Sequence, residues 1–139
     1  LWQENIHIPL VVSVPGAIPG RVSQRVSLVD LAPTLASLTG LSTRDAWQGE
    51  DLSAVFQGET TLEPRTLFSE FNERWIVLSP DGWKAYYDGY ERDFLHDLAA
   101  DPLELDNRQA EEPEKWSELT QVRYEFLSDS YAIRSLLAE

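Results

Sequence analysis

The sequence contains no cysteine and no methionine. Without cysteine there is no disulfide framework, no thiolate metal site and no cysteine nucleophile. Without methionine, and with Leu1 in first place, the chain is expected to begin inside a longer gene, removal of a leader being the alternative. Basic residues are scarce: 11 Lys and Arg stand against 24 Asp and Glu, a formal net charge of -13. Nucleic acid is recruited through a basic face that releases counterions, and anionic lipid needs a similar face, so neither is expected as a partner. Acidity of this kind is the ordinary state of a well-solvated surface. Long hydrophobic runs are missing too. The longest apolar cluster, Ile8-Pro9-Leu10-Val11-Val12-Ser13-Val14, is strand-sized, far short of the ~18 residues that would cross a bilayer.

What is present changes character near residue 64. Residues 6–14 are almost continuously apolar and rich in β-branched side chains, which predicts a strand covered on both faces, as in an α/β sheet. The segment Pro15-Gly16-Ala17-Ile18-Pro19-Gly20 is a loop. Asp30 then stands as an N-cap, and Pro33 falls where first-turn amides have no intrahelical partner. Leu31, Leu35 and Leu38 share one stripe and predict a short helix with that face buried, ending at Gly40. A second short helix is predicted over residues 51–56, stopping near Gly58.

Beyond Arg65 the pattern becomes strand-like. Residues 66–71, 75–78 and 83–87 read as three strands, and Ser79-Pro80-Asp81-Gly82 is a hairpin turn between the last two. Residues 94–98 add a fourth. Pro113 opens a helix on which Trp116, Leu119, Val122 and Phe126 make one apolar face, and a final helix includes Ile133, Leu136 and Leu137. The fold class is therefore α/β to α+β: the last strand and helix of an α/β layer, then a small antiparallel sheet with a C-terminal helix.

Three segments in order carry a resemblance. The first, Leu1-Trp2-Gln3-Glu4-Asn5-Ile6-His7-Ile8-Pro9-Leu10, is similar to an aromatic-x-Glu-x-x-Ile-x-Val-Pro-Leu segment. The second, Asp30-Leu31-Ala32-Pro33-Thr34-Leu35, is similar to an Asp-Leu-x-Pro-Thr-Leu helix, with Gln48-Gly49-Glu50-Asp51-Leu52 after it. The third is Trp83-Lys84 followed by Leu95-His96-Asp97-Leu98-Ala99-Ala100-Asp101-Pro102-Leu103-Glu104-Leu105-Asp106-Asn107. It resembles Leu-Tyr-Asp-Leu-x-x-Asp-Pro-x-Glu-x-x-Asn, with His96 in place of Tyr and Arg108 in place of the Leu that usually follows. Together they resemble the C-terminal part of the sulfatase family, within the alkaline phosphatase superfamily. The resemblance implies that residues 1–63 end the large α/β sulfatase domain and that residues 64–139 form a small antiparallel-sheet subdomain with its helix.

Sulfate ester hydrolysis needs a nucleophile, a cation on oxygen ligands and charge-stabilising basic groups. The resemblance implies a formylglycine nucleophile, made within Cys/Ser-x-Pro-x-Arg, and calcium in a parent protein, all N-terminal to Leu1. No cofactor is expected in this chain. Ser13-Val14-Pro15-Gly16-Ala17 has Ala where that motif requires Arg. His7 reads as a packed or rim histidine, and His96 as part of a surface turn. Glu111, Glu112 and Glu114 suit a helix N-terminus, and Glu104-Leu105-Asp106 lacks the spacing of a calcium loop.

The implied partners are the missing N-terminal sulfatase domain and a small-molecule or carbohydrate sulfate ester. The expected role is the structural C-terminal portion of a sulfuric ester hydrolase, catalytically silent by itself. Trp2, Glu4 and Asn5, with Gln3 between them, are candidates to border the substrate, and Glu70, on the stretch leading to Trp75, to shape the pocket entrance. Plain packing of Trp2 and Trp75 is the competing explanation. A phosphatase, phosphonate hydrolase or phosphoethanolamine transferase is the alternative within the superfamily. A separate class, an autonomous carbohydrate-binding or interaction module, would need exposed, aligned aromatics among Trp75, Trp83, Tyr86, Tyr87 and Tyr90.

Overall fold

The computed structural model describes residues 2–44, 46–59 and 61–137, with side chains through residue 130. In chain order its elements are α1 (Gln3–Ile6), a 3-10 turn (Leu28–Asp30) leading into α2 (Leu31–Leu38), a second 3-10 turn (Ser53–Gln57), strands β1 (Leu67–Phe71), β2 (Arg74–Leu78), β3 (Trp83–Tyr87) and β4 (Asp93–Asp97), and α3 (Pro113–Leu137). They fall into two compact units, one formed by Leu10–Pro64 and the other by Leu1–Pro9 with Arg65–Glu139.

The second of these units is built on a four-stranded antiparallel sheet in the order β1-β2-β3-β4. Side chains in a strand alternate between faces, and the register turns that alternation into rows. Phe68, Val77, Ala85 and Leu95 are successive partners across the sheet and lie on one face. Leu119 of α3 joins Val77, Ala85 and Leu95 in the core, with Trp75, Trp83 and Trp116 packed around them. Phe126 stacks on Phe68 with ring centroids 4.0 Å apart. On the opposite face the rows are Leu67-Leu78-Lys84-His96 and Ser69-Ile76-Tyr86-Phe94. That face is buried as well, Ile76, Leu78, Lys84, Tyr86 and His96 all being inaccessible. The predicted turn joins β2 to β3: the Ser79 amide donates to Trp83 O at 2.8 Å, and Gly82 takes φ +91°, a region open chiefly to glycine. Asp81 in this turn pairs with Lys115 of α3 at 2.8 Å.

The unit Leu10–Pro64 is organised around one buried carboxylate. Asp30 accepts from the Ser27 amide at 2.7 Å and from the Glu50 amide at 2.9 Å. One turn on, the Thr34 hydroxyl donates to Asp30 O at 2.6 Å and accepts from the Leu52 amide at 2.9 Å. Gly49 passes against Val29 so closely that a Cβ would overlap its carbonyl. The Asp-Leu-x-Pro-Thr helix and the Gln-Gly segment thus form one clasp.

Several sequence expectations need correction. Residues 7–14 join no strand, and α1 takes Gln3–Ile6 instead. A strand hydrophobic on both sides needs hydrogen-bonding neighbours and cover; no strand among the described residues pairs with it, and Val11 is left 91% exposed. In α2 the buried residues are Pro33, Thr34 and Ala36, while Leu35 of the predicted stripe is 55% exposed. The clasp hydrogen bonds turn the Thr34 side inward. Asp30 makes no side-chain cap on α2, its oxygens being committed to Ser27 and Glu50. The helix expected over 51–56 is the 3-10 turn Ser53–Gln57, closed by Gly58 at φ +100°. No separate final helix exists among the described residues: α3 runs unbroken to Leu137, and the side chains of Ile133, Leu136 and Leu137 lie outside those described.

Candidate functional site

The signature from Leu95 to Asn107 begins within β4 and runs into the loop after it, and several of its polar side chains bind the backbone. Asp97 Oδ1 accepts from the Ala99 amide at 3.0 Å. Asp101 Oδ2 accepts from the Asp106 amide at 2.8 Å. Asn107 Oδ1 accepts from the Leu95 amide at 2.9 Å while its Nδ2 donates to Asp93 O at 3.0 Å, so one amide side chain pairs the free edge of β4 as a neighbouring strand would. Arg108 adds a backbone bond to Leu95 O at 2.8 Å. The spacing of the signature is the spacing at which a returning loop meets this edge.

His96 is not part of a surface turn. It lies within β4 and is 1% exposed, because its strand position faces the sheet side covered by Trp2. Its Nδ1 is 2.9 Å from Asp106 O. A carbonyl only accepts, so Nδ1 donates to it, and Nε2 is buried without a hydrogen-bond partner among the described residues.

Beside His96 in the same row, Lys84 is fully buried and ion-paired with Glu104. Glu104 is itself buried, and its other oxygen accepts from the Gln3 amide at 2.6 Å. Burial holds the Lys84 ammonium below its ordinary range, and the hydrogen bond and charge of Glu104, with the charge of Glu4, offset this only in part. Glu104 adopts φ +56°, unusual for a residue with a side chain. Next to Gln3, the Trp2 ring meets Tyr86, Phe94 and His96 at centroid distances of 6.3, 6.1 and 6.0 Å.

The structure separates the candidate site residues into two places. Trp2, Glu4 and Asn5 sit at α1 over β3 and β4, Trp2 through its rings and Glu4 through its charge on Lys84. The Asn5 amide donates to Trp2 O at 2.9 Å. Glu70 belongs to β1 at the far edge of the sheet and faces α3, where it pairs with Arg123 at 3.1 Å. Sequence reasoning missed the Lys84–Glu104 pair; the Glu of the signature and the Lys after Trp83 were its only trace.

The aromatic residues do not form a free platform. Trp75 stacks on Tyr87 and on Trp116, and the Arg123 guanidinium lies 4.7 Å from the Trp75 ring centre. Tyr86 is buried and Trp83 packs against the core. Tyr90, 69% exposed, has Arg74 across its ring at 5.6 Å. Among the described residues no three His, Asp or Glu side chains converge as metal ligands would. The donors among the described residues do not fit a calcium centre, and Ser13 lacks the Arg that formylglycine formation would require. No helix among the described residues is long and apolar enough to cross a membrane.

The family model described as N-sulphoglucosamine sulphohydrolase, C-terminal, matches residues 1–128. Arylsulfatase K of Bos taurus is 34% identical over 137 residues, which cover 87% of this chain and 25% of that protein. The choline-sulfatase of Rhizobium meliloti is 34% identical over 112 residues, covering 76% of this chain and 22% of the relative. A protein solved in complex with its substrate D-glucosamine-2-N,6-O-disulfate shares the fold, with a TM-score of 0.61 at 23% identity over 74% of this chain and 24% of the other. The chain thus spans about a quarter of the length of the curated relatives it matches.

Proposed function

This chain belongs to the N-sulphoglucosamine sulphohydrolase C-terminal family and is a C-terminal sulfatase segment, and from that premise we propose that it is the structural C-terminal portion of a sulfuric ester hydrolase. The family match over residues 1–128 carries the reading. It is supported by the way the signature residues are used: Asn107 holds the β4 edge and Glu104 the N-terminal segment. In this reading the calcium and the formylglycine belong to residues outside this chain, and the substrate is a small-molecule or carbohydrate sulfate ester. Residues 1–63 complete the large α/β domain, residues 64–139 form the small subdomain, and the N-terminal sulfatase domain is the partner of both. Trp2, Glu4 and Asn5 border the substrate, while Glu70 shapes the entrance from the β1 edge. The chain's own contribution is positioning, which is worth much to a rate because misplacement by ~1 Å can cost about a hundredfold.

The test is hydrolysis of 4-nitrophenyl sulfate, choline sulfate and a 6-O-sulfated glucosamine by the full-length protein that carries this chain. Matching phosphate and phosphonate monoesters are run beside them. Turnover of a sulfate ester above the phosphorus esters is expected. A preference for phosphate or phosphonate would favour the phosphatase and phosphonate hydrolase alternatives and sink the sulfatase reading. Purified residues 1–139 are expected to turn over none of these esters, and activity from them would contradict a purely structural role.

A further inference from the structure

We propose that Glu104 is a positioning residue: held by Lys84, it fixes residues 2–5 at the substrate rim through the Gln3 amide. The inference rests on the sulfatase reading above and names the device by which the small subdomain would serve it. Three segments meet here. Glu104 comes from the loop after β4, Lys84 from β3 and Gln3 from the first turn of α1, and the Gln3–Glu104 contact closes a sequence separation of 101 residues. Both carboxylate oxygens are used, one on the ammonium and one on the amide. The ammonium sets where the carboxylate points, and the carboxylate sets where Gln3 sits.

Stability alone is a poor reason for this arrangement. Two buried charges lose their hydration, and apolar residues of similar volume often serve a core as well or better. Glu104 also holds the left-handed backbone at φ +56°, a conformation that tends to persist where surrounding structure enforces it for a purpose. The neighbouring contact points the same way. Trp2 is seated on Tyr86, Phe94 and His96, so α1 is fixed by a ring on one side and by a charge-assisted hydrogen bond on the other. Such a bond is short and directional, which suits alignment of a rim.

The decisive variant is Gln3→Pro, compared with Gln3→Ala, both in the full-length protein. Both lose the glutamine side chain, but only proline loses the N–H. Gln3 is the first residue of α1, where proline is tolerated, and Trp2 before it already has φ -72° and ψ 164°, the extended conformation a pre-proline residue prefers. Relative to Gln3→Ala, Gln3→Pro is expected to lower kcat/KM for an aryl sulfate by about tenfold or more, with matching thermal midpoints. Exchange of the Asn5 and His7 amides should quicken at least about tenfold as α1 loses its anchor. Equal kcat/KM and equal exchange in the two variants would overturn the proposal, as would quickened exchange with unchanged kcat/KM.

A second pair of variants keeps the question open to refutation if proline prevents folding. Lys84→Met with Glu104→Gln removes both charges but keeps an acceptor for Gln3. Lys84→Met with Glu104→Leu keeps none. The first pair is expected to retain kcat/KM within about tenfold and the second to lose more than that; the same kcat/KM in both would refute positioning. A wild-type protein inactive on every sulfate ester would sink the sulfatase reading instead, and the amide-exchange comparison would still judge the anchor.

Discussion

A Cβ built on Gly49 lies 2.1 Å from the backbone oxygen of Val29. No side chain can flex to relieve that overlap, since both partners are main chain. Gly49→Ala must therefore move the Gln-Gly segment away from the turn that precedes α2. The expected loss is about 1–3 kcal/mol of unfolding free energy, the usual range for overpacking. Urea denaturation of wild type and variant reads it directly, and an unchanged midpoint would contradict the contact.

Asp30→Ala removes the acceptor of the same clasp. The part-buried Ser27 and Glu50 amides would each lose their carboxylate partner, and a hydrogen bond to a charged group contributes about 1.5–3 kcal/mol. Since Gly49 and Asp30 serve one joint, the double variant should fall short of the sum of the singles. A double-mutant cycle measures the shortfall, and simple additivity would argue against a single clasp.

In the sheet unit, Leu119 of α3 is buried with Val77, Ala85 and Leu95, while Tyr124 on the same helix is exposed. Leu119→Ala is expected to cost about 2–5 kcal/mol by leaving a cavity. Tyr124→Ala should stay within about 0.5 kcal/mol of wild type. Thermal unfolding of the two variants ranks them, and similar losses would mean that α3 presents a different face.

Asp88 gives the pH prediction. Burial pushes its carboxyl up, but the Tyr90 amide, the Arg92 guanidinium and the Arg92 amide together draw it below the ordinary value of 3.8. A carboxylate with a lowered folded pKa binds fewer protons in the folded than in the unfolded state as the pH falls past 3.8. Its contribution is complete above that pH and disappears as the pH falls through the folded value. The stability gap between wild type and Asp88→Asn should thus be constant near neutrality and narrow below about pH 4. Denaturation midpoints across pH 2.5–7 test it, and a gap that widened in acid would reverse the sign.

Much of the sheet unit was legible in the sequence because its cues are local. Strand-like apolar and aromatic runs marked the strands, Ser79-Pro80-Asp81-Gly82 marked the turn, and the spacing of Trp116, Leu119, Val122 and Phe126 marked the covered side of α3. What was not legible depends on distant chain. The Leu31, Leu35 and Leu38 stripe says which residues share a side of α2, not that hydrogen bonds from residues 50 and 52 would turn Thr34 inward. Nothing local in the sequence pairs Lys84 with Glu104, which arrives from the loop after β4. Trp2 and Glu70 looked equally suited to a pocket rim, but the strand order sets them at opposite edges of the sheet.

The make-up of the sheet unit also fixes an order in time. Its residues come from both sides of Leu10–Pro64, so synthesis delivers them in two instalments. The Gln3 amide leaves the ribosome 101 residues ahead of Glu104, an interval of roughly 5–20 s at about 5–20 residues per second. A helix as short as α1 has no stability of its own. During that interval Leu10–Pro64, being contiguous, is free to close its own clasp. Residues 2–5 therefore meet this anchor only after Leu10–Pro64 has had time to close.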